Sequence, residues 1–409
     1  MSETETIVTI RGIAAGGDGV ATMPDGRTVF VPRAAPGDQM RLQHVKLHAR
    51  FARAEIASVL EPGADRVMPI CPHYTADRCG GCQLMHLTAA AQRAAKGRIA
   101  GDAFRRIAHL DIGDPHVIES PAEFGYRTKV TFTMQDGRLG YHPVNQPGRV
   151  FDVEDCLLAD LAVRRLHTAV RAARKHLPRD GVRVVLRSDR AFGLHVIVLG
   201  AGDAWTGGTG LQNDLAADGV AAVVWWHPEG GTPRAVAGAS DPWPATVFEQ
   251  VHPAMGQVVR RAAVESLGNI TGVQAWDLYA GIGESTVALA EGGASVVSVE
   301  SDVRAVRVAE TLGPSGPRRI AGLVEDQAAI LPTPGVIITN PPRVGMAERA
   351  TDAVLRSGAR RIAYISCDPA TLARDVARLS GRYALDSLQV FDQFPQTAHM
   401  ECLAVLEQR

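Results

Sequence analysis

Cys367 lies in the stretch Ile365-Ser366-Cys367-Asp368-Pro369, directly after the apolar run Ile362-Ala363-Tyr364-Ile365. The run reads as a short buried strand, and Pro369 suits the first turn of a following helix. A thiol at the carboxyl edge of an open α/β sheet stands where ligands bind and can act as a nucleophile. The bland alternative is a small apolar residue ending a strand. Two further strand ends give the thiol company. Trp276-Asp277-Leu278-Tyr279-Ala280-Gly281-Ile282-Gly283 closes one apolar run, and Val297-Ser298-Val299-Glu300 closes the next. Gly281 and Gly283 let the backbone approach a ligand, and an acid about twenty residues on can accept hydrogen bonds from ribose hydroxyls. With no third glycine for a pyrophosphate, the stretch including Asp277 suits S-adenosylmethionine better than a dinucleotide. Asn340 in Thr339-Asn340-Pro341-Pro342-Arg343 ends a further strand, beside the same expected pocket.

A second group has metal-ligand character. Cys71, Cys79 and Cys82 fall within twelve residues, and the chain has six Cys in all. That count does not suggest a disulfide scaffold, and the spacing reads as metal or cluster ligation. Zinc with His73 or His86 as a partner and an iron–sulfur cluster both fit the spacing.

These residues need elements to hold them. The chain has 409 residues, so two or three domains are expected. Residues 1–60 alternate in short strands with Gly and Pro turns, as a small OB-like β-barrel does. Residues 61–245 read as a mixed α+β central domain with the Cys-rich loop, a helix over 88–107 and a basic helix near 158–177. On a strand, Arg127 and Lys129 would project from one face as a two-charge clamp for phosphate. Residues 246–409 alternate strand and helix, with strands expected at 273–279, 295–300, 335–339, 361–366, 386–391 and 400–406. That is an α/β, doubly wound parallel sheet with a late antiparallel element. The net charge of −1 means that nucleic-acid binding must come from local patches. The acidic Met1–Ile7 segment is not a secretory signal, and no apolar run is long enough to span a membrane. A cytoplasmic location without an obligate protein partner is expected.

Together these motifs resemble the RNA uracil-C5 (5-methyluridine) methyltransferase family over nearly the whole chain. The resemblance implies an N-terminal TRAM domain that binds RNA. It implies a [4Fe–4S] cluster on Cys71, Cys79 and Cys82 with Cys156 as the distant ligand. It implies a C-terminal Rossmann-like class I methyltransferase domain. Gly125-Tyr126-Arg127-Thr128-Lys129 is similar to the family's strand near the RNA. Phe248-Glu249-Gln250-Val251-His252 is similar to the stretch opening the methyltransferase domain, which makes Gln250, Tyr279 and Glu300 cofactor contacts. Gln393-Phe394-Pro395-Gln396-Thr397-Ala398-His399-Met400-Glu401 is similar to the C-terminal motif, which makes Glu401 the general base and Cys367 the nucleophile.

The implied reaction is S-adenosylmethionine-dependent methylation of uridine C5 through a covalent Cys–C6 adduct, in rRNA or tRNA, with 23S rRNA favoured. Its nucleophile would need a lowered pKa, for which the helix opening at Pro369 offers its positive end. The family has Asp where Asn340 stands and Asn where His252 stands. Asn340 with two prolines also suits an N-methyltransferase of RNA or DNA, and a non-catalytic iron–sulfur RNA-binding protein is a further alternative.

Overall fold

Val336–Thr339 and Arg361–Ser366 are buried on both faces, which is why they read as unbroken apolar runs. They are central strands of an eight-stranded sheet in the computed structural model, which describes residues 6–238 and 247–409. The expected domain boundary at 245/246 lies outside the described residues. The described chain forms two compact units. One comprises residues 6–88, 122–238 and 251–253, and the other 89–121, 247–250 and 254–409.

In the second unit the sheet runs in the order Arg318–Ala321, Ser295–Glu300, Gln274–Leu278, Val336–Thr339, Arg361–Ser366, Glu401–Gln408, Tyr383–Phe391, Val117–Ile118. The first five strands are parallel, and Glu401–Gln408 runs antiparallel to both of its neighbours. The expected parallel sheet with a late antiparallel element is therefore present. Two of its strands were not expected from the sequence. Arg318–Ala321 is too short and polar to show a strand pattern. Val117–Ile118 joins the edge from far upstream, as a parallel partner of Val390 and Phe391. The helix Ala89–Ala103, read from the sequence as part of the central region, likewise lies in this unit.

The first unit carries two sheets. The N-terminal one runs Ile7–Thr9, Gln39–Leu47, Phe51–Glu61, Thr28–Val31, Gly19–Thr22, Gly12–Ile13. Its two edges belong to one bent stretch, residues 7–13, so the sheet returns on itself in the strand order of a five-stranded barrel. Val8, Ile10, Val29, Val31 and Met40 fill its interior. The other sheet has seven strands from Lys129–Gln135 to Arg234–Ala237, and the helix Leu161–Ala172 packs on it. Asp160 caps that helix, its carboxylate accepting the Val163 amide at 2.7 Å. The helix's basic face is largely neutralised within the unit. Arg164 pairs with Asp155, while Arg171 and Arg174 share Asp152 at 2.9 and 3.3 Å.

No described helix is long and apolar enough to cross a membrane.

Candidate active site

Register in the C-terminal sheet assembles the site. Leu278 pairs with Val299 on one side and Thr339 on the other, and Thr339 pairs with Tyr364. The carboxyl ends of four neighbouring parallel strands therefore emerge together, carrying Tyr279, Glu300, Asn340 and Cys367. The Asn340 amide donates to the Leu278 carbonyl at 3.2 Å.

The glycine loop is built for close approach. Tyr279, Gly281 and Gly283 all have left-handed backbone, at φ 60°, 55° and 81°. A bulky Tyr in that region is an outlier of the kind that collects at ligand sites. Glu300 holds the loop, since its Oε2 accepts the Gly281 amide at 2.8 Å and its Oε1 accepts the Asp302 amide at 2.8 Å. Asp277 is directed differently. It is buried, accepts Thr286 Oγ1–H at 2.5 Å, and burial pushes its carboxyl up to about 7. It thus fastens the helix Glu284–Glu291 to the strand end. Gln250 faces Gln393, whose Nε2 donates to Gln250 Oε1 at 3.4 Å.

Cys367 and Glu401 meet through the antiparallel pair. Ser366 lies opposite Cys402, so Cys367 and Glu401 are the next residues along each strand. Glu401 is only 3% exposed, and burial pushes its carboxyl up to about 8 against the pull of Arg343. The Cys367 thiol is also raised, first by burial and then by the Glu401 charge. This corrects the expectation of a lowered thiol pKa. The following helix is capped by Asp368, which accepts the Ala370 and Thr371 amides at 3.0 and 2.9 Å. Burial beside a carboxylate outweighs the field of that helix end.

What draws the thiol back down is Arg343, by its charge and by a side-chain hydrogen bond. Sequence reasoning missed this residue. The available signal was a cation two residues after a strand-end Asn-Pro-Pro. Its loop is pinned to the helix Pro369–Leu379, whose first turn follows Cys367. Thr371 Oγ1 donates to the Arg343 carbonyl at 3.1 Å and Arg374 to the Val344 carbonyl at 2.8 Å. The fully buried Asp375 accepts the Met346 amide at 2.8 Å and the Tyr364 hydroxyl at 2.6 Å. Gly345 is required here. At φ 76°, an added Cβ would stand 2.5 Å from the Asp375 carboxylate.

The segment leading to Glu401 is anchored by the helix Ala89–Ala103. Gln92 is bonded twice to Gln396, accepting its amide at 2.8 Å and donating to its Oε1 at 2.9 Å. One turn on, the fully buried Lys96 reaches Asp392 at 2.5 Å and the Phe394 carbonyl at 3.1 Å. In the sequence Gln92 carried no signal and Lys96 read only as one of the charges on the helix over 88–107, because their partners are about three hundred positions away.

In the other unit, Cys71, Cys79, Cys82 and Cys156 line one cavity of about 300 Å³, together with Arg127, Lys129 and Tyr141. Burial raises the Cys79 thiol to about 11 and Cys82 higher still, and the neighbouring sulfurs add to both shifts. Four thiols at one cavity match the donor set of an iron–sulfur cluster. Among the described residues no group of three or more His, Cys, Asp or Glu is placed as a set of metal ligands. Of the histidines of the zinc alternative, His73 has both ring nitrogens bonded, and His86 is not among the residues lining the cavity. His73 bonds Asp77 at 2.7 Å through Nδ1 and accepts the Glu154 amide at 3.0 Å on Nε2, while His86 Nδ1 bonds the Tyr74 hydroxyl at 2.7 Å. Arg127 precedes the strand Lys129–Gln135 instead of lying within it, and both cations line the cysteine cavity. His252 stacks on Tyr126, with ring centres 4.6 Å apart.

A family model described as tRNA (Uracil-5-)-methyltransferase matches residues 332–409. An uncharacterized RNA methyltransferase of Gloeobacter violaceus is 31% identical, with 98% of this chain and 96% of that protein covered. The 23S rRNA (uracil(1939)-C(5))-methyltransferase RlmD of Acidithiobacillus ferrooxidans is 30% identical, with 98% of this chain and 97% of the relative covered. The crystal structure of the Pyrococcus abyssi tRNA (uracil-54, C5)-methyltransferase in complex with S-adenosyl-L-homocysteine matches the fold. Its TM-score is 0.74 at 20% identity, covering 99% of this chain and 100% of that one. With a thiol, a buried carboxyl and an arginine at the strand ends of a methyltransferase sheet, and with full-length relatives of this kind, the chain belongs to the RNA (uracil-C5)-methyltransferase family.

Proposed function

We propose that this protein transfers a methyl group from S-adenosylmethionine to C5 of a uridine in RNA, with Cys367 as nucleophile and Glu401 as general base. The observation that carries the reading is the neighbouring position of Cys367 and Glu401 on paired antiparallel strands, with Arg343 against the thiol. Uracil C5 is a weak nucleophile. Addition of the Cys367 thiolate to C6 forms an S–C6 bond and moves the ring electrons to C5 and O4. C5 then attacks the sulfonium methyl carbon, the C5–CH3 bond forms as the S–CH3 bond breaks, and S-adenosylhomocysteine leaves. Glu401 takes the C5 proton, the C5=C6 bond re-forms, and Cys367 departs as thiolate. Arg343 supports the thiolate at both ends of this cycle. Glu401 suits its task because its raised pKa makes it a stronger base than an ordinary carboxylate.

Tyr279, Gly281, Gly283, Glu300 and Gln250 are the proposed cofactor contacts, with Asn340 between donor and acceptor. Asp277 serves better as the anchor of the glycine loop than as a direct contact. The N-terminal barrel is proposed as a TRAM-type RNA-binding module in a cytoplasmic enzyme. Ribosomal RNA is favoured as substrate, because two full-length relatives at 30% and 29% identity are named 23S rRNA (uracil(1939)-C(5))-methyltransferases. Cys71, Cys79, Cys82 and Cys156 would hold a [4Fe–4S] cluster, which when bound supplies a rigid cross-link and a redox couple that methylation does not use. Arg127 and Lys129, on the same cavity, would offset its negative charge. That role is nearer to hand than the phosphate clamp expected from their alternation.

The test is incubation of the protein with methyl-labelled S-adenosylmethionine and uridine-containing RNA, followed by nucleoside analysis. Label in 5-methyluridine that disappears in Cys367→Ala is expected. Label in an exocyclic amine, or undiminished turnover by Cys367→Ala, would overturn the reading.

A further inference from the structure

Strands Val182–Ser188 and Leu194–Gly200 form an antiparallel hairpin closed by the pair Ser188–Leu194. Its tip is Asp189-Arg190-Ala191-Phe192-Gly193. The Asp189 amide donates to the Gly193 carbonyl at 2.9 Å, and the Phe192 amide donates to the Asp189 carbonyl at 3.0 Å. In a hairpin loop of this length the last loop position is left-handed and ordinarily takes glycine. Here it is Phe192, at φ 64°, and its side chain is 87% exposed. Glycine comes one residue later for another reason. A Cβ at 193 would stand 2.8 Å from the Asp189 carboxylate.

That carboxylate holds the tip in shape. Asp189 Oδ1 accepts the Ala191 and Gly193 amides, both at 2.8 Å, and Oδ2 accepts from buried His195 Nε2 at 2.9 Å. His195 Nδ1 in turn accepts the Trp225 indole N–H at 3.2 Å, which fixes the neutral tautomer. A chain of buried hydrogen bonds thus keeps a large aromatic ring in water, on backbone that disfavours it. Strain of this kind persists where the surroundings enforce it, and it gathers at binding sites. The surroundings are also cationic. Arg190 is on the exposed tip, two residues from the ring.

We propose that this hairpin tip is an RNA contact in which the Phe192 ring stacks on an unpaired nucleobase and Arg190 meets an adjacent phosphate. Aromatic rings bind single-stranded bases in this manner, with cations tracking the backbone. The proposal rests on the reading that the protein acts on RNA.

The test uses the full-length, cluster-reconstituted protein and compares Phe192→Gly, Phe192→Trp and Arg190→Gln with wild type. Glycine removes the ring and the strain together, so its thermal midpoint should equal or exceed that of wild type. Its KM and Kd for RNA should nevertheless rise about 5- to 100-fold, with kcat at saturating RNA unchanged. Tryptophan should retain wild-type affinity, and Arg190→Gln should weaken binding with a smaller salt dependence. Unchanged KM and Kd in Phe192→Gly, while wild type methylates RNA, would overturn the proposal. So would a lowered midpoint, which would make the ring a packing element. Failure of wild type itself to methylate RNA would instead strike the functional reading.

Discussion

The Cys367 thiol and the Glu401 carboxyl sit side by side because Ser366 and Cys402 are paired across two antiparallel strands. Arg343, on a loop that neither strand contains, pulls against the burial that raises both pKa values. The nucleophile and the base are thus coupled through one cation.

Arg343→Met should make the Cys367 thiolate harder to form. The pH dependence of iodoacetamide alkylation at Cys367 should move upward, with kcat falling about 10- to 1000-fold. Unchanged alkylation kinetics would remove Arg343 from the mechanism.

Glu401→Gln should allow attack and methyl transfer but block loss of the C5 proton. A covalent protein–RNA adduct should therefore accumulate on a denaturing gel, and Cys367→Ala in the same chain should abolish it.

Glu401 also ties activity and stability to pH. Its folded pKa is raised from 4.5 to about 8 by burial. A base must be ionised to accept a proton, so kcat should climb as pH rises through about 8. The folded state holds the Glu401 proton over a window in which the unfolded chain has lost it. This group's contribution to stability therefore falls as pH rises from 4.5 to about 8. Glu401→Gln should lack that decline, so urea unfolding should show its advantage over wild type growing across the same window.

Lys96→Met should destabilise the protein by about 3–5 kcal/mol, because it strands the buried Asp392 carboxylate. Lys96→Met with Asp392→Leu should recover much of the loss, as measured by urea denaturation. If the single variant matches the double, the pair is not what holds the segment before Glu401.

Gly345→Ala should cost about 1–3 kcal/mol through its left-handed backbone and the Asp375 contact. Because that loop carries Arg343, the Cys367 alkylation profile should shift upward as well. An unaltered profile would show that the loop positions Arg343 without Gly345.

The strand-end chemistry was legible in the sequence. Cys367, Gly281, Glu300 and Asn340 each follow an apolar run, and runs buried on both faces announce themselves by composition alone. The parallel sheet, the barrel's alternating strands and the clustered Cys71, Cys79 and Cys82 follow from the same local signals. Tertiary structure alone decided which strands are neighbours, and so that Cys367 and Glu401 meet. It gave Asp277 to Thr286, turned Arg127 and Lys129 toward the cysteine cavity, and set Lys96 and Gln92 under the segment before Glu401. It also reversed the sign of the Cys367 shift. Periodicity and turn chemistry act over a few residues. Burial, strand register and the charge at a buried atom depend on groups far apart in the chain, and these exist only once the sheet has closed.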